Sequence, residues 1–181
     1  MPEYKIIFSG PVGSGKTTAI RTVSDIEVVC TEEVATDEAS KLKPNTTVAM
    51  DYGVIKIDET DRMHLFGTPG QERFRFMWDI LTEGGSGLIL LISNTLDNPQ
   101  EQLDYFLTAF KDFIQETRVV VGITHTELPP SFELASFQEV LAKHEINTAV
   151  FEVDARSKKD ISYLIEALIC SKCSNIKFSP T

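Results

Sequence analysis

Gly10-Pro11-Val12-Gly13-Ser14-Gly15-Lys16-Thr17 satisfies the pattern G-x-x-x-x-G-K-[ST] at every required position. The β-rich run Tyr4–Phe8 precedes it, and Ala19, Ile20 and Val23 follow at helical spacing. Strand, Gly-rich loop and helix together give the pattern its chemical meaning. The glycines let successive backbone N–H groups turn inward and form an anion nest. A helix starting near Gly15 adds the positive end of its dipole. Lys16 is placed to reach the β- and γ-phosphates, and the Thr17 hydroxyl to ligate Mg²⁺. The predicted phosphate-binding residues are therefore Pro11, Val12, Gly13, Ser14, Gly15, Lys16, Thr17 and Thr18. The loop alone implies a nucleoside diphosphate or triphosphate. It does not separate a switch GTPase from an ATPase or a nucleotide kinase.

Outward from the loop, short apolar runs alternate with helical periods. Leu88-Ile89-Leu90-Leu91-Ile92 and Val119-Val120-Val121 read as buried strands, and Ala149–Val153 as another. Leu103, Phe106, Leu107, Phe110 and Ile114 mark one apolar helix face. Leu134, Phe137 and Leu141 mark a second, and Ile161, Leu164, Ile165 and Leu168 a third. This rhythm predicts an α/β fold, a mostly parallel central sheet of about six strands with helices on both faces. The stretch from Asp25 to Thr46 breaks the rhythm: it is long, polar and acidic. A loop of that length is functional or a tolerated surface insertion.

The chain has 181 residues, which suggests a single domain over 1–181. It carries 17 Lys plus Arg against 27 Asp plus Glu, a formal net charge of −10. Such a chain repels extended phosphate backbones, so nucleic acid is excluded as a general partner. Apolar residues make up 42%, enough to offset the ordering entropy that keeps polar chains disordered. No leader, spanning segment or lipidation signal is evident, and Cys30, Cys170 and Cys173 make no disulfide framework. The expectation is a cytoplasmic protein without a direct membrane anchor. Cys170 and Cys173 lack two further zinc ligands and read as part of a helix end.

A second motif, Leu65-Phe66-Gly67-Thr68-Pro69-Gly70-Gln71-Glu72-Arg73-Phe74, places a Gly, a Gln and charges after an apolar strand. Here the chain resembles the Ras-like small GTPases, most of all their bacterial members, in which D-T-x-G-Q-E-R-F follows the third strand. The resemblance covers nearly the whole chain, and Thr68 to Phe74 are all compatible with the family's motif. It implies a P-loop G domain that binds GTP or GDP with Mg²⁺ and hydrolyses GTP slowly. The Gly70 N–H would meet the γ-phosphate, and Gln71 would orient the attacking water. Thr46-Thr47-Val48-Ala49-Met50-Asp51-Tyr52 is similar to the first switch. By that register Thr47 joins Thr17 on the metal, with Thr46 as the competing position. The resemblance thus casts Lys16, Thr47 and Gln71 as the catalytic residues. Residues 32–52 and 70–80 would face a protein effector or activator, and the acidity before Thr47 suits a partner with a basic face.

The sequence departs from that family at three places. Gly67 stands where the family has the Asp that supports Mg²⁺. Weaker metal binding follows, with Gly67→Asp expected to tighten it. Thr124, His125 and Glu127 replace the Asn, Lys and Asp of N-K-x-D. Glu127 still offers a carboxylate to guanine N1–H and its amino group, the His125 ring can pack on the base, and Ala155 and Arg156 sit where the family has S-A-K. Glu127 reads equally as a surface carboxylate, so adenine stays open beside guanine. Val12 places a branched side chain where relatives carry a small residue, crowding the γ-phosphate. Lys43, Arg73 and Arg75 are nearby cations, with surface solvation the competing role. Two other readings stand beside the slow GTPase. One is a nucleotide-binding module with little or no hydrolysis, or with ATP as ligand. The other is a small-molecule kinase, which lacks an Arg-rich lid here. Trp78, with Phe74, Phe76 and Met77, forms either a partner patch or the apolar side of a helix. His64 reads as a packed strand residue and His144 as a cation at a helix end.

Overall fold

The structure is a computed structural model that describes residues 4–30, 50–129 and 132–170. Its strands are β1 (Tyr4–Ser9), β2 (Val29–Cys30), β3 (Asp51–Lys56), β4 (Arg62–Gly67), β5 (Gly87–Ser93), β6 (Val119–Thr124) and β7 (Val150–Glu152). Its helices are α1 (Lys16–Val23), α2 (Phe76–Thr82), α3 (Pro99–Ala109), α4 (Lys111–Glu116), α5 (Leu134–Lys143) and α6 (Lys158–Cys170). The strands form one seven-stranded sheet in the order β2-β3-β4-β1-β5-β6-β7. Pairs from β4 through β7 are parallel, while β2·β3 and β3·β4 are antiparallel. The strand beyond the expected six is β2, a two-residue edge strand in the polar stretch. Two residues carry no periodicity, so no pattern announced it.

The period of two along each strand divides the core into two layers. Ile7, Leu88, Leu90, Ile92, Val119, Val121 and Ile123 face one side, under residues of α3, α4 and α5 and under Trp78 of α2. Ile6, Phe8, Ile89, Leu91 and Val120 face the other, under α1 and α6. Every residue of β5 is buried, as a central parallel strand covered on both faces requires. Burying one such aliphatic side chain contributes about 1.5–3 kcal/mol relative to exposure.

The apolar face from Leu103 to Ile114 is buried as predicted, but not as one helix. The backbone bends at Phe110 (φ −101°, ψ 16°), which separates α3 from α4. The bend keeps Phe110 and Ile114 on the core side, and Phe110 N–H still donates to Phe106 O at 3.0 Å.

The sheet matters to the site in two ways. β1, β4, β5 and β6 run parallel, so their C-terminal ends share one edge, where open α/β sheets bind ligands. Second, α1 lies unusually close to the antiparallel corner. A Cβ on Gly53 would stand 2.8 Å from Ile20 Cγ2, and one on Gly67 would stand 3.0 Å from Ile20 Cδ1. Those two glycines let α1 settle against β3 and β4. Among the described residues no helix is long and apolar enough to cross a membrane.

Candidate nucleotide-binding site

The loop predicted to cradle phosphate leaves β1 at Ser9 and enters α1 at Lys16. Gly10 (φ +139°) cannot carry a side chain, because a Cβ there would lie 2.0 Å from the Leu91 carbonyl oxygen. Gly15 caps α1 in the left-handed region (φ 93°) with no side-chain hydrogen bond. The first N–H groups of α1 have no intrahelical acceptor, as at any helix start, and remain available to an anion. Lys16 folds back over the loop. Its Nζ donates to Gly10 O and Pro11 O, both at 2.7 Å, and to Ser14 Oγ at 3.4 Å. These neutral oxygens hold the ammonium where phosphate oxygens are expected.

Burial pulls the Lys16 ammonium down to about 8, against the opposing attraction of Asp51. Bound phosphate favours the charged amine and so raises its pKa in the complex. Binding therefore takes up a proton above pH about 8. Affinity is full below that pH and falls as pH rises through it, by up to about tenfold per unit. Triphosphate titrations on either side of pH 8 check this, and an affinity unchanged across that range would contradict it.

The second motif begins where β4 ends and comes back onto the same loop. Thr68 N–H donates to Phe8 O at 2.9 Å, and the Thr68 and Ser9 hydroxyls are 2.7 Å apart. A Cβ on Gly70 would meet Val12 N at 2.7 Å and Lys16 Nζ at 3.0 Å. Gly70 is thus packed on the phosphate loop, and any side chain there would displace it. Gln71 follows in extended backbone (φ −84°, ψ 131°) and is exposed, at the start of a single 3-10 turn from Glu72 to Phe74. Val12 is 62% exposed, so its side chain projects from the loop rather than packing into the core. The Arg73 guanidinium lies over the Phe74 ring at 4.7 Å.

Thr17 shows what the sequence reading missed. Its Oγ1 donates to Asp51 Oδ2 at 2.6 Å. Asp51 opens β3 directly opposite Gly67 on β4 and is buried. A Cβ on Gly67 would fall 2.9 Å from that Oδ2 and 3.0 Å from Asp51 Cβ. Gly67→Asp would therefore bring a second carboxylate into the space that the Asp51 carboxylate occupies, so any effect on metal binding depends on how the two share it. The signal was available in the sequence as an acidic residue at a strand start, but only the strand pairing gives it a meaning. Thr46 and Thr47 lie outside the described residues, as do Lys43 and the rest of residues 31–49.

At the same, N-terminal end of α1, a cleft of about 380 Å³ is lined by Gly15, Thr18, Thr124, His125, Glu127 and Arg156, among others. It brings together residues that the sequence places far apart. Thr124 Oγ1 donates to Ser14 O at 3.0 Å, tying this segment to the phosphate loop. His125 adopts the left-handed region (φ 57°), with Nδ1 2.9 Å from Ser93 Oγ and 3.1 Å from Thr124 Oγ1. Its ring is thereby anchored at one nitrogen. Arg156 binds Asp154 through two contacts of 2.8 Å and lies 3.6 Å from Glu127 Oε1. The Arg156 guanidinium holds the Asp154 carboxyl down at about 2. Glu127 is an exposed carboxylate that shares the cleft and the Arg156 cation. The buried Ala155 forms the wall beside Gly15, whose Cβ would stand 3.0 Å from that of Ala155.

The remaining candidates sort cleanly. His64 Nδ1 lies 2.8 Å from the Tyr52 hydroxyl, a packed strand residue as expected. His144 caps α5 and meets Asp104 Oδ1 at 2.9 Å. Trp78 and Phe74 are core residues, whereas Phe76 and Ile80 are exposed, so the apolar surface of α2 is the Phe76–Ile80 pair. Cys170 is a free, exposed thiol, and Cys173 lies outside the described residues.

A family described as "conserved hypothetical ATP binding protein" matches residues 23–172. The matched span begins at the last residue of α1, so the phosphate loop stands on its own sequence and geometry. An uncharacterized protein of Methanocaldococcus jannaschii is 30% identical over 91 residues, 50% of this chain and 51% of that protein. The chain therefore spans about half the length of that curated relative.

Proposed function

The chain belongs to the family of conserved hypothetical ATP-binding proteins, and from that premise we propose that it is a P-loop nucleotide switch that binds ATP with Mg²⁺ and hydrolyses it slowly. The observation that carries this reading is the convergence on one loop of Lys16 and Gly70. The first is a cation resting on neutral carbonyls, and the second is the glycine whose position allows its backbone alone to approach. The Ras-like manner of switching is supported by Thr68 to Phe74 and by their direct continuation from a strand beside β1.

The donor set suits a small hard cation: the Thr17 hydroxyl and a buried carboxylate are both oxygen donors, and Mg²⁺ takes such ligands together with phosphate oxygens and water. When bound, Mg²⁺ neutralises charge on the phosphates and draws electron density from the leaving oxygen. The chain's own groups divide the remaining work. Lys16 leaves its carbonyls for the β- and γ-phosphate oxygens. The N–H groups at the start of α1 bind the phosphates without a proton change. Gly70 N–H meets the γ-phosphate, which holds Gln71 beside the attacking water. Water adds to the γ-phosphorus as the bond to the β-bridging oxygen breaks, giving ADP and inorganic phosphate. Turnover well below the usual enzyme median of about 10 s⁻¹ is expected of an unassisted switch.

GTP is the second reading, and Glu127 favours it. A carboxylate in the base cleft can accept from guanine N1–H and the exocyclic amine, whereas adenine offers no such donor pair. Direct binding of ATP, ADP, GTP and GDP to the purified chain, with and without Mg²⁺, separates the two. Tighter binding of ATP than GTP supports the first reading, and the reverse order transfers the switch to GTP. Absence of phosphate release from either triphosphate would leave a binding module without hydrolysis.

A further inference from the structure

We propose that Asp51 supplies the carboxylate that supports Mg²⁺ on the bound nucleotide, acting from β3 in the place that Gly67 on β4 leaves without a side chain. This inference rests on the nucleotide reading above and adds a residue to it.

Three observations converge. Asp51 and Gly67 are direct partners across the antiparallel β3·β4 pair. The Asp51 carboxylate fills the space a residue-67 side chain would enter, since a Cβ there would stand 2.9 Å from Oδ2. That same oxygen accepts the Thr17 hydroxyl at 2.6 Å, on the residue whose oxygen the loop pattern assigns to the metal. The two donors come from different elements and are held together because Gly53 and Gly67 let α1 lie close to the sheet.

The electrostatics argue in the same direction. Asp51 is a buried acidic residue, 8% exposed. A buried carboxylate is costly unless a cation or several donors stand against it. Its surroundings include the Thr17 hydroxyl, the Cys30 thiol and the charge of Lys16. On nucleotide binding Lys16 turns to phosphate, and Asp51 is left near the phosphates as a like charge. A divalent cation between them converts that repulsion into attraction. A carboxylate kept only for folding would show no such dependence on the metal.

This gives the test two readouts of opposite sign, neither of which requires turnover. Fluorescent ATP and GTP analogues are titrated into the full chain in EDTA and then across a Mg²⁺ series, for wild type, Asp51→Asn, Gly67→Asp and the double variant Asp51→Ala/Gly67→Asp. In Asp51→Asn the half-saturating Mg²⁺ should rise by about 10- to 100-fold, the usual effect of losing a group that supports a metal. Its affinity in EDTA should equal or exceed that of wild type, because a negative charge beside the phosphates has gone. Gly67→Asp alone should not tighten Mg²⁺, while the double variant, with one carboxylate in the same space, should recover most of the metal response. Asp51→Asn keeps the shape and can still accept from Thr17. A half-saturating Mg²⁺ in that variant within about twofold of wild type overturns the assignment. So does an equal loss of affinity with and without metal, which marks a structural role. If wild type itself binds neither nucleotide, the nucleotide reading fails and this inference falls with it.

Discussion

Lys16→Ala is expected to weaken triphosphate binding at neutral pH by about 100-fold or more, while leaving the melting temperature unchanged or slightly raised. The affinity argument starts from what the ammonium touches. Its bonds to Gly10 O and Pro11 O, each 2.7 Å, link a charge to neutral acceptors. Exchange of those acceptors for phosphate oxygens pairs the charge with charge in a buried place. Truncating one partner of a buried charged pair costs about 2–5 kcal/mol, and 100-fold corresponds to about 2.7 kcal/mol. The stability argument runs the other way. Burial drives the amine down to about 8 despite the opposing attraction of Asp51, which means that the protein interior disfavours its charge. Removing the group relieves that penalty and leaves two carbonyls to water, while losing its attraction for the buried Asp51 offsets part of the gain. Calorimetric binding and a thermal melt on the same variant check both halves. Binding within about threefold of wild type would show that Lys16 does not meet phosphate.

How much of this was legible in the sequence depends on whether the signal was local. The phosphate loop was legible because its geometry follows from consecutive residues, and β5 because five adjacent apolar residues permit little else. The three helices were visible as faces, but the break at Phe110 was not, since both halves keep their apolar residues on one side. What stayed hidden arises between strands. Asp51 sat in a stretch read as a switch segment, and Gly67 read as a missing ligand. Their meeting across β3·β4 puts the Asp51 carboxylate in the space that Gly67 leaves open. Likewise the sequence does not show that Glu127 lies 3.6 Å from Arg156, which comes from beyond β7. Pairings at long separation leave no period in the chain, so spacing rules cannot find them.

The cleft lined by Thr124, Glu127 and Arg156 and the predicted phosphate loop are also mechanically joined, which the sequence motifs treat as separate. Thr124 closes β6 and donates to the Ser14 carbonyl inside the loop. The Asp154–Arg156 segment follows β7, and Ala155 O accepts the Thr22 hydroxyl of α1 at 2.9 Å. The first contact fixes the loop before α1 and the second the last turn of α1, both relative to the cleft. A nucleotide spanning the two would therefore meet a preset distance, which lowers the ordering cost of binding.

Trp78 ties the second motif to the core, and its removal should cost more stability than any other single truncation proposed here. The indole is 2% exposed and stacks on Phe106 and Phe110, with centroids 5.1 and 5.0 Å away. Its Nε1 donates to Pro69 O at 3.0 Å, one residue before Gly70. Two roles are thus combined in one side chain, packing against α3 and fixing the segment that lies on the phosphate loop. Trp78→Ala is expected to lose about 3–5 kcal/mol of stability, the usual range for a buried aromatic. Trp78→Phe separates the roles. It keeps much of the packing but leaves the Pro69 carbonyl without its donor, a loss of about 1–3 kcal/mol where the group stays buried. Chemical denaturation gives the first quantity, and nucleotide affinity of the Phe variant gives the second. If Pro69 is held by the indole and Gly70 meets the terminal phosphate as proposed, Trp78→Phe weakens triphosphate binding more than diphosphate binding. Equal weakening of both would reduce Trp78 to packing. Since Trp78 is the chain's single tryptophan, its fluorescence in the unmodified protein should also report the same movement, changing on addition of triphosphate with Mg²⁺ and less with diphosphate.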